Sequence, residues 1–215
     1  MERPVLKTLS IALAGAISSF ALAATPPPKP PFKTYYENPL SKKKPTASFR
    51  MGSFEVVFEK TTLDMVIKAA NRGQVAHQGD AADSLSWVCY TIKRRAQNER
   101  IWIASGEMGG SEHAVTQIIA QVVAPADYSP DCPALPKELL PVSFGNAIWL
   151  GTEMDRALSI LGRPSVQEGS WWAFDYTGKV PGSCSPEGYD IVNWFMFESK
   201  KGRLTTIHAG QISSC

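Results

Sequence analysis

Cysteine and histidine are scarce in this chain, and past its first two dozen residues no long apolar run occurs. There are four cysteines and three histidines (His77, His113 and His208) among 215 residues. No C-x-x-C pair or His-rich spacing is present, so the ligand patterns that hold zinc are missing and no metal is expected. No Gly-x-Ser-x-Gly occurs, which excludes the strained nucleophile turn of the common hydrolases. Gly106-Glu107-Met108-Gly109-Gly110 lacks the Lys-Ser/Thr and the following helix of a phosphate loop. His77-Gln78-Gly79-Asp80 offers an acid and a base close together, but Gly79-Asp80 is ordinary turn chemistry. His113 reads as a solvated loop residue. No later apolar stretch is long enough to span a bilayer, which needs about 20 residues. These absences leave no catalytic constellation and no cofactor motif. The chain is not expected to be an enzyme.

The N-terminus has the form of an export signal. Arg3 and Lys7 precede an apolar stretch from Leu9 to Phe20, and Ala21-Leu22-Ala23 forms an A-x-A cleavage site. Residues 1–23 are therefore expected to be removed, with the mature chain starting at Ala24 in the periplasm or outside the cell. The first cysteine is Cys89, so a lipid anchor at the cleavage site is not expected. Residues 24–50 contain Pro26, Pro27, Pro28, Pro30, Pro31, Pro39 and Pro45, and set Lys29, Lys33, Lys42, Lys43, Lys44 and Arg50 against Glu37. Such a segment reads as an extended, flexible tether that touches a membrane or cell-wall polymer weakly at most. The remainder is mildly acidic, with 14 basic and 18 acidic residues, and an acidic body argues against nucleic acid as a partner.

In an exported chain, four cysteines suggest two disulfides, and three pairings are open. If the two halves of the chain each fold alone, Cys89–Cys132 and Cys184–Cys215 follow. The reason to consider halves is a repeat. Thr61-x-Leu63-Asp64-x-Val66-Ile67 returns 91 residues later as Thr152-x-Met154-Asp155-x-Ala157-Leu158. Leu63, Val66, Ile67 and Ala70 form one apolar helical stripe, and Met154, Ala157, Leu158 and Leu161 repeat it. Thr61 and Thr152 stand where N-caps belong, and the helices are expected to stop at Asn71-Arg72-Gly73 and Gly162-Arg163-Pro164. Strands are predicted before the helices at 54–58 and 146–150. After them, strands are predicted at 87–91, 101–105 and 115–120 in one half and at 173–177, 195–199 and 204–209 in the other. The expected fold is α+β: two tandem modules over 51–124 and 142–215, each an antiparallel sheet of about four strands with a helix on one face, joined by a Pro-rich linker at 125–141.

Thr152-Glu153-Met154-Asp155-Arg156-Ala157-Leu158, the helix end Leu161-Gly162-Arg163-Pro164 and the strand Trp172-Ala173-Phe174-Asp175-Tyr176 resemble the module of β-lactamase-inhibitor-type proteins. They also resemble the small lipoprotein of the outer-membrane barrel-assembly machine. The first half departs from that pattern, lacking the Gly before its Thr and the L-G-x-P ending. The resemblance implies a non-catalytic protein that grips a protein partner on a concave sheet, sometimes with a hairpin loop reaching into it.

Period-two alternation then assigns sheet faces. Val88, Tyr90, Ile101, Ile103, Ile118 and Ala120, with Phe174, Tyr176, Phe195, Phe197, Ile207 and Ala209, are expected under the helices. The opposite face carries Trp87, Trp102, Gln117, Ile119, Asp175, Trp194, Met196, Thr206 and His208. This mixture of aromatic and polar groups suits a protein interface, or packing between modules or against the linker. The candidate partner-binding residues are Trp87, Trp102, Asp175, Trp194, Met196 and His208, with Glu107 and Met108 on the reaching hairpin at 106–114. The expected function is to bind and block an envelope enzyme or toxin, as an inhibitor or immunity protein. The alternative is an envelope-assembly accessory docked to membrane machinery.

Overall fold

The computed structural model describes residues 24–30, 41, 44–182, 186 and 188–214, with Asn146 described for its backbone alone. The proposed signal peptide, and Cys184 and Cys215 with their expected disulfide, lie outside the described residues. The elements run β1 (Ser48–Met51), β2 (Phe54–Val57), α1 (Leu63–Ala70), β3 (Ala76–Gln78), β4 (Leu85–Ile92), β5 (Asn98–Gly106) and β6 (Gln117–Val123). They continue as β7 (Val142–Phe144), α2 (Met154–Leu161), β8 (Val166–Glu168), β9 (Trp171–Val180), β10 (Tyr189–Lys200) and β11 (Arg203–Ser214).

Eight strands form one antiparallel sheet in the order β3-β4-β5-β6-β11-β10-β9-β8, and β2-β1-β7 form a second, small sheet. This overturns the expectation of two tandem modules with a sheet each. The two halves meet through β6 and β11, which pair from Gln121 opposite Thr206 to Gln117 opposite Gly210. The small sheet also crosses the halves, because β1 pairs with β7 from beyond the Pro-rich connection. One core lies between the inner face of the large sheet, both helices and the small sheet, running from Phe49, Val56 and Leu63 through Ile101 and Ile118 to Phe144, Phe195 and Ile207. A strand edge whose N–H and C=O groups would face water is satisfied by the nearest complementary edge, and here that edge belongs to the other half.

What recurs is local. In each half the backbone N–H at the first helical residue donates to the tip of that half's last hairpin: Leu63 N to His113 O at 3.0 Å and Met154 N to Gly202 O at 2.9 Å. Val115 N donates to Thr61 O at 2.8 Å, and Leu204 N to Thr152 O at 3.0 Å. The expected caps are displaced by one residue. Thr62 caps α1, accepting from Met65 N, while Glu153 precedes α2 without a side-chain cap. Thr61 and Thr152 instead close the turns before the helices, their hydroxyls accepting from Val57 N and Trp149 N at 3.0 Å each. The apolar stripes face the core as expected, and the helices end on Asn71 (φ 50°) and Gly162 (φ 85°). The strand expected at 146–150 is not formed; Gly145–Ala147 is a 3-10 turn following β7. β1 begins inside the stretch read as a flexible tether, since Phe49 and Met51 bring apolar side chains to the core.

Candidate functional site

Every residue assigned to the outer face by alternation does stand there, but that face is not open. Trp87, Trp102, Ile119, Asp175, Trp194, Met196 and His208 are all buried. On one side Trp87, Cys89, Trp102, Ala104, Ile119 and Cys132 form a cluster with Ala24 packed against it. On the other, Ala173, Trp194 and Met196 form a second, smaller cluster. The Trp194 ring lies against Gly210 of β11, where a Cβ would run into it and into the Thr116 carbonyl.

The first cluster is organised around Thr25. The indole N–H groups of Trp87 and Trp102 both donate to the Thr25 carbonyl oxygen, at 3.1 Å each. The Thr25 backbone N–H donates to Asp131 Oδ2 at 2.5 Å, and its hydroxyl donates to Asp131 Oδ1 at 3.0 Å. Ser129 Oγ donates to the same Asp131 Oδ1 at 2.5 Å and lies in contact with the Thr25 hydroxyl oxygen. One residue of an extended segment is thus held at its carbonyl, amide and side chain at once.

The jaw carrying Ser129 and Asp131 is fixed to the sheet by covalent and hydrogen bonds. Cys132 is joined to Cys89 of β4, as expected from the sequence. Beyond it, Thr91 N donates to Pro133 O and Leu135 N to Thr91 O, both at 2.9 Å. Burial pushes the Asp131 carboxyl toward neutrality, but the hydrogen bonds from Ser129 and from the amide and hydroxyl of Thr25 outweigh it, leaving its pKa below the usual 3.8. The clamp therefore holds a carboxylate at neutral pH.

The hairpin residues differ from the rest. Glu107 and Met108 protrude from a 3-10 turn at the end of β5, with Met108 48% exposed. The turn under them is stiff. Thr116 Oγ1 accepts from Gly106 N at 2.9 Å and Ala114 N donates to Gly109 O at 3.0 Å. Gly109 is buried so close to Ser105 Oγ and the Ala114 carbonyl that a side chain has no room.

The histidines are occupied or isolated. His77 Nδ1 meets Ser86 Oγ at 3.1 Å and Nε2 meets Gly79 O at 2.9 Å, bonds that stitch the β3–β4 hairpin. His113 is exposed at the loop tip and adopts a positive φ of 51°. Burial holds the His208 imidazole neutral, with its pKa pushed down to about 4; Nε2 has no hydrogen-bond partner among the described residues, and Trp171 packs edge-on at 5.7 Å. Among the described residues no group of His, Cys, Asp and Glu is arranged to hold a metal, and no helix is long and apolar enough to cross a membrane.

Sequence reasoning placed Trp87 and Trp102 together but missed Thr25, Ser129 and Asp131. The available signal was a broad aromatic sheet face with no amphipathic element to cover it, in a chain whose uncommitted segments were the N-terminal arm and the Pro-rich connection. No protein-family model, curated protein or solved structure gives a significant match to this chain. The resemblance to the β-lactamase-inhibitor and barrel-assembly modules is accordingly withdrawn. It rested on a short helix motif and on a two-module architecture that the continuous eight-stranded sheet replaces.

Proposed function

We propose that this chain is an exported, non-catalytic protein that binds another protein in the cell envelope and blocks it, as an inhibitor or immunity protein does. The observation that carries this reading is the 106–114 loop: a flexible, polarizable Met side chain and a carboxylate are presented to solvent on backbone that is already ordered. Binding through such a loop spares the entropy of ordering it, and Met adapts its shape to an apolar pocket. The disulfide joining Cys89 and Cys132 fits an oxidising compartment.

The test is a photo-crosslinking amino acid placed at Met108, with exposed Arg163 as the control position, in cells producing the full chain with its own signal. A single soluble partner crosslinked from position 108 and not from 163, whose activity falls on adding purified chain, supports inhibition. Identical crosslinks from both positions remove the loop from the interface. A partner belonging to membrane-assembly machinery transfers support to the accessory reading.

A further inference from the structure

We propose that Trp87, Trp102, Ser129 and Asp131 form a peptide-binding site that takes an extended Thr-Pro or Ser-Pro segment of the protein partner, and that residues 24–27 occupy it as a built-in competitor. The inference rests on the protein-binding reading above and names the chemistry that the partner presents. Three features of the clamp carry it.

The first is what it reads. Two indole N–H groups converge on one backbone carbonyl, and one carboxylate takes the amide and hydroxyl of the same residue. Those are groups of any extended chain plus the one extra group that marks Thr or Ser. The residue that follows is Pro26, then Pro27 and Pro28. Proline has no N–H to leave unpaired and is already extended, so such a segment loses little entropy when held.

The second is what the site loses when empty. With the arm in place Trp87 and Trp102 are each 2% exposed, and an indole N–H can only donate. Removing Thr25 takes the shared acceptor from both indoles and leaves Asp131 with Ser129 as its remaining side-chain partner, so the vacated site favours refilling by a segment that restores the four bonds Thr25 makes to Trp87, Trp102 and Asp131.

The third is that the arm does not fill the cleft. Beside Ala24 lies a cavity of about 380 Å³ that reaches Arg72, Gly73 and Asp131. Beside Pro26 and Lys29 lies another of about 540 Å³, with Asp80 and Asp83 on its wall. A ligand with larger side chains before the hydroxyl residue has space that the arm leaves unused, and a basic residue after the prolines, where the arm carries Lys29, shares a cavity with Asp80 and Asp83.

The test uses the full mature chain and a fluorescently labelled peptide, Ala-Thr-Pro-Pro-Pro-Lys, whose binding is followed by anisotropy. Thr25→Pro removes the amide and hydroxyl from the competing arm and leaves the receiving residues untouched. The peptide is expected to bind Thr25→Pro saturably and at least ten-fold more tightly than wild type. Adding Asp131→Asn, or replacing the peptide's Thr by Val, should reverse that gain. Absence of binding to a Thr25→Pro chain with unchanged near-UV circular dichroism overturns the proposal, and so does equal binding to wild type. If Thr25→Pro does not fold, wild-type chain is titrated with excess peptide while the indole N–H resonances of Trp87 and Trp102 are watched: saturable shifts support the site, and none overturns it. A Met108 crosslink that persists where the peptide fails leaves the binding function standing and removes only this site.

Discussion

Trp87 and Trp102 each carry one polar atom, and both spend it on the same carbonyl. A buried indole needs an acceptor. Here it comes from chain outside the sheet, the carbonyl of Thr25. His208 shows the opposite solution at the same depth. Its Nε2 finds no partner among the described residues, and the ring stays neutral at physiological pH. Because its pKa falls from 6.5 to about 4 on folding, the unfolded chain takes up a proton first as pH drops. Stability is then lost between pH 6.5 and about 4, by at most about 1.4 kcal/mol per pH unit, and this group adds no further loss below that. His208→Leu, close in volume and without the orphan nitrogen, should flatten this acid limb while changing stability little at pH 7.5. Urea unfolding at pH 7.5 and 4.5 measures both, and an unchanged difference between the two pH values contradicts the assignment to His208.

Among the elements, the segment from Ser129 to Leu135 matters most, because it is neither helix nor strand yet forms half of the clamp. It is held to β4 by the disulfide and by the hydrogen bonds at Thr91. The disulfide closes a loop with a sequence separation of 43, which in the loop-closure model stabilises the fold by about 4 kcal/mol. Cys89→Ser with Cys132→Ser should lose about 2–4 kcal/mol in urea unfolding. It should also raise hydrogen exchange at Thr25, since Asp131 no longer has a fixed position beside Trp87. A loss confined to stability, with Thr25 still protected, would mean that the Thr91 bonds alone position the jaw. The helices and strands themselves were legible because their patterns are local. The stripe Leu63, Val66, Ile67 and Ala70 and the alternation in β4, β5, β10 and β11 identify inward faces without knowledge of the neighbours. The expected caps fall one residue early for a reason equally local: Thr61 and Thr152 each turn back to close the preceding turn, at Val57 and Trp149, which leaves Thr62 to cap α1 and Glu153, without a side-chain cap, before α2.

For the molecule as a whole, the pairing of β6 with β11 matters most. It merges the two halves into one sheet, and β1 crosses between them to β7. A chain built this way should unfold in one calorimetric transition, with van't Hoff and calorimetric enthalpies equal. A fragment ending at residue 124 should not fold, because β1 then lacks β7 and β6 exposes a long unpaired edge. Two separated transitions, or a folded N-terminal fragment, would restore the independent modules that the sheet order rules out.

By itself the sequence determined the two helices and their buried stripes, most strands, and the inward and outward side of each. These follow from side-chain periodicity and local turn chemistry, which a short window of residues contains. Only the tertiary structure decided which strand edges meet and what covers the tryptophans. Edge pairing uses backbone N–H and C=O groups that every residue shares, so periodicity cannot choose between a partner in the same half and one in the other. The cover over Trp87 and Trp102 is an irregular arm with no periodicity to read, held by the polar groups of a single threonine.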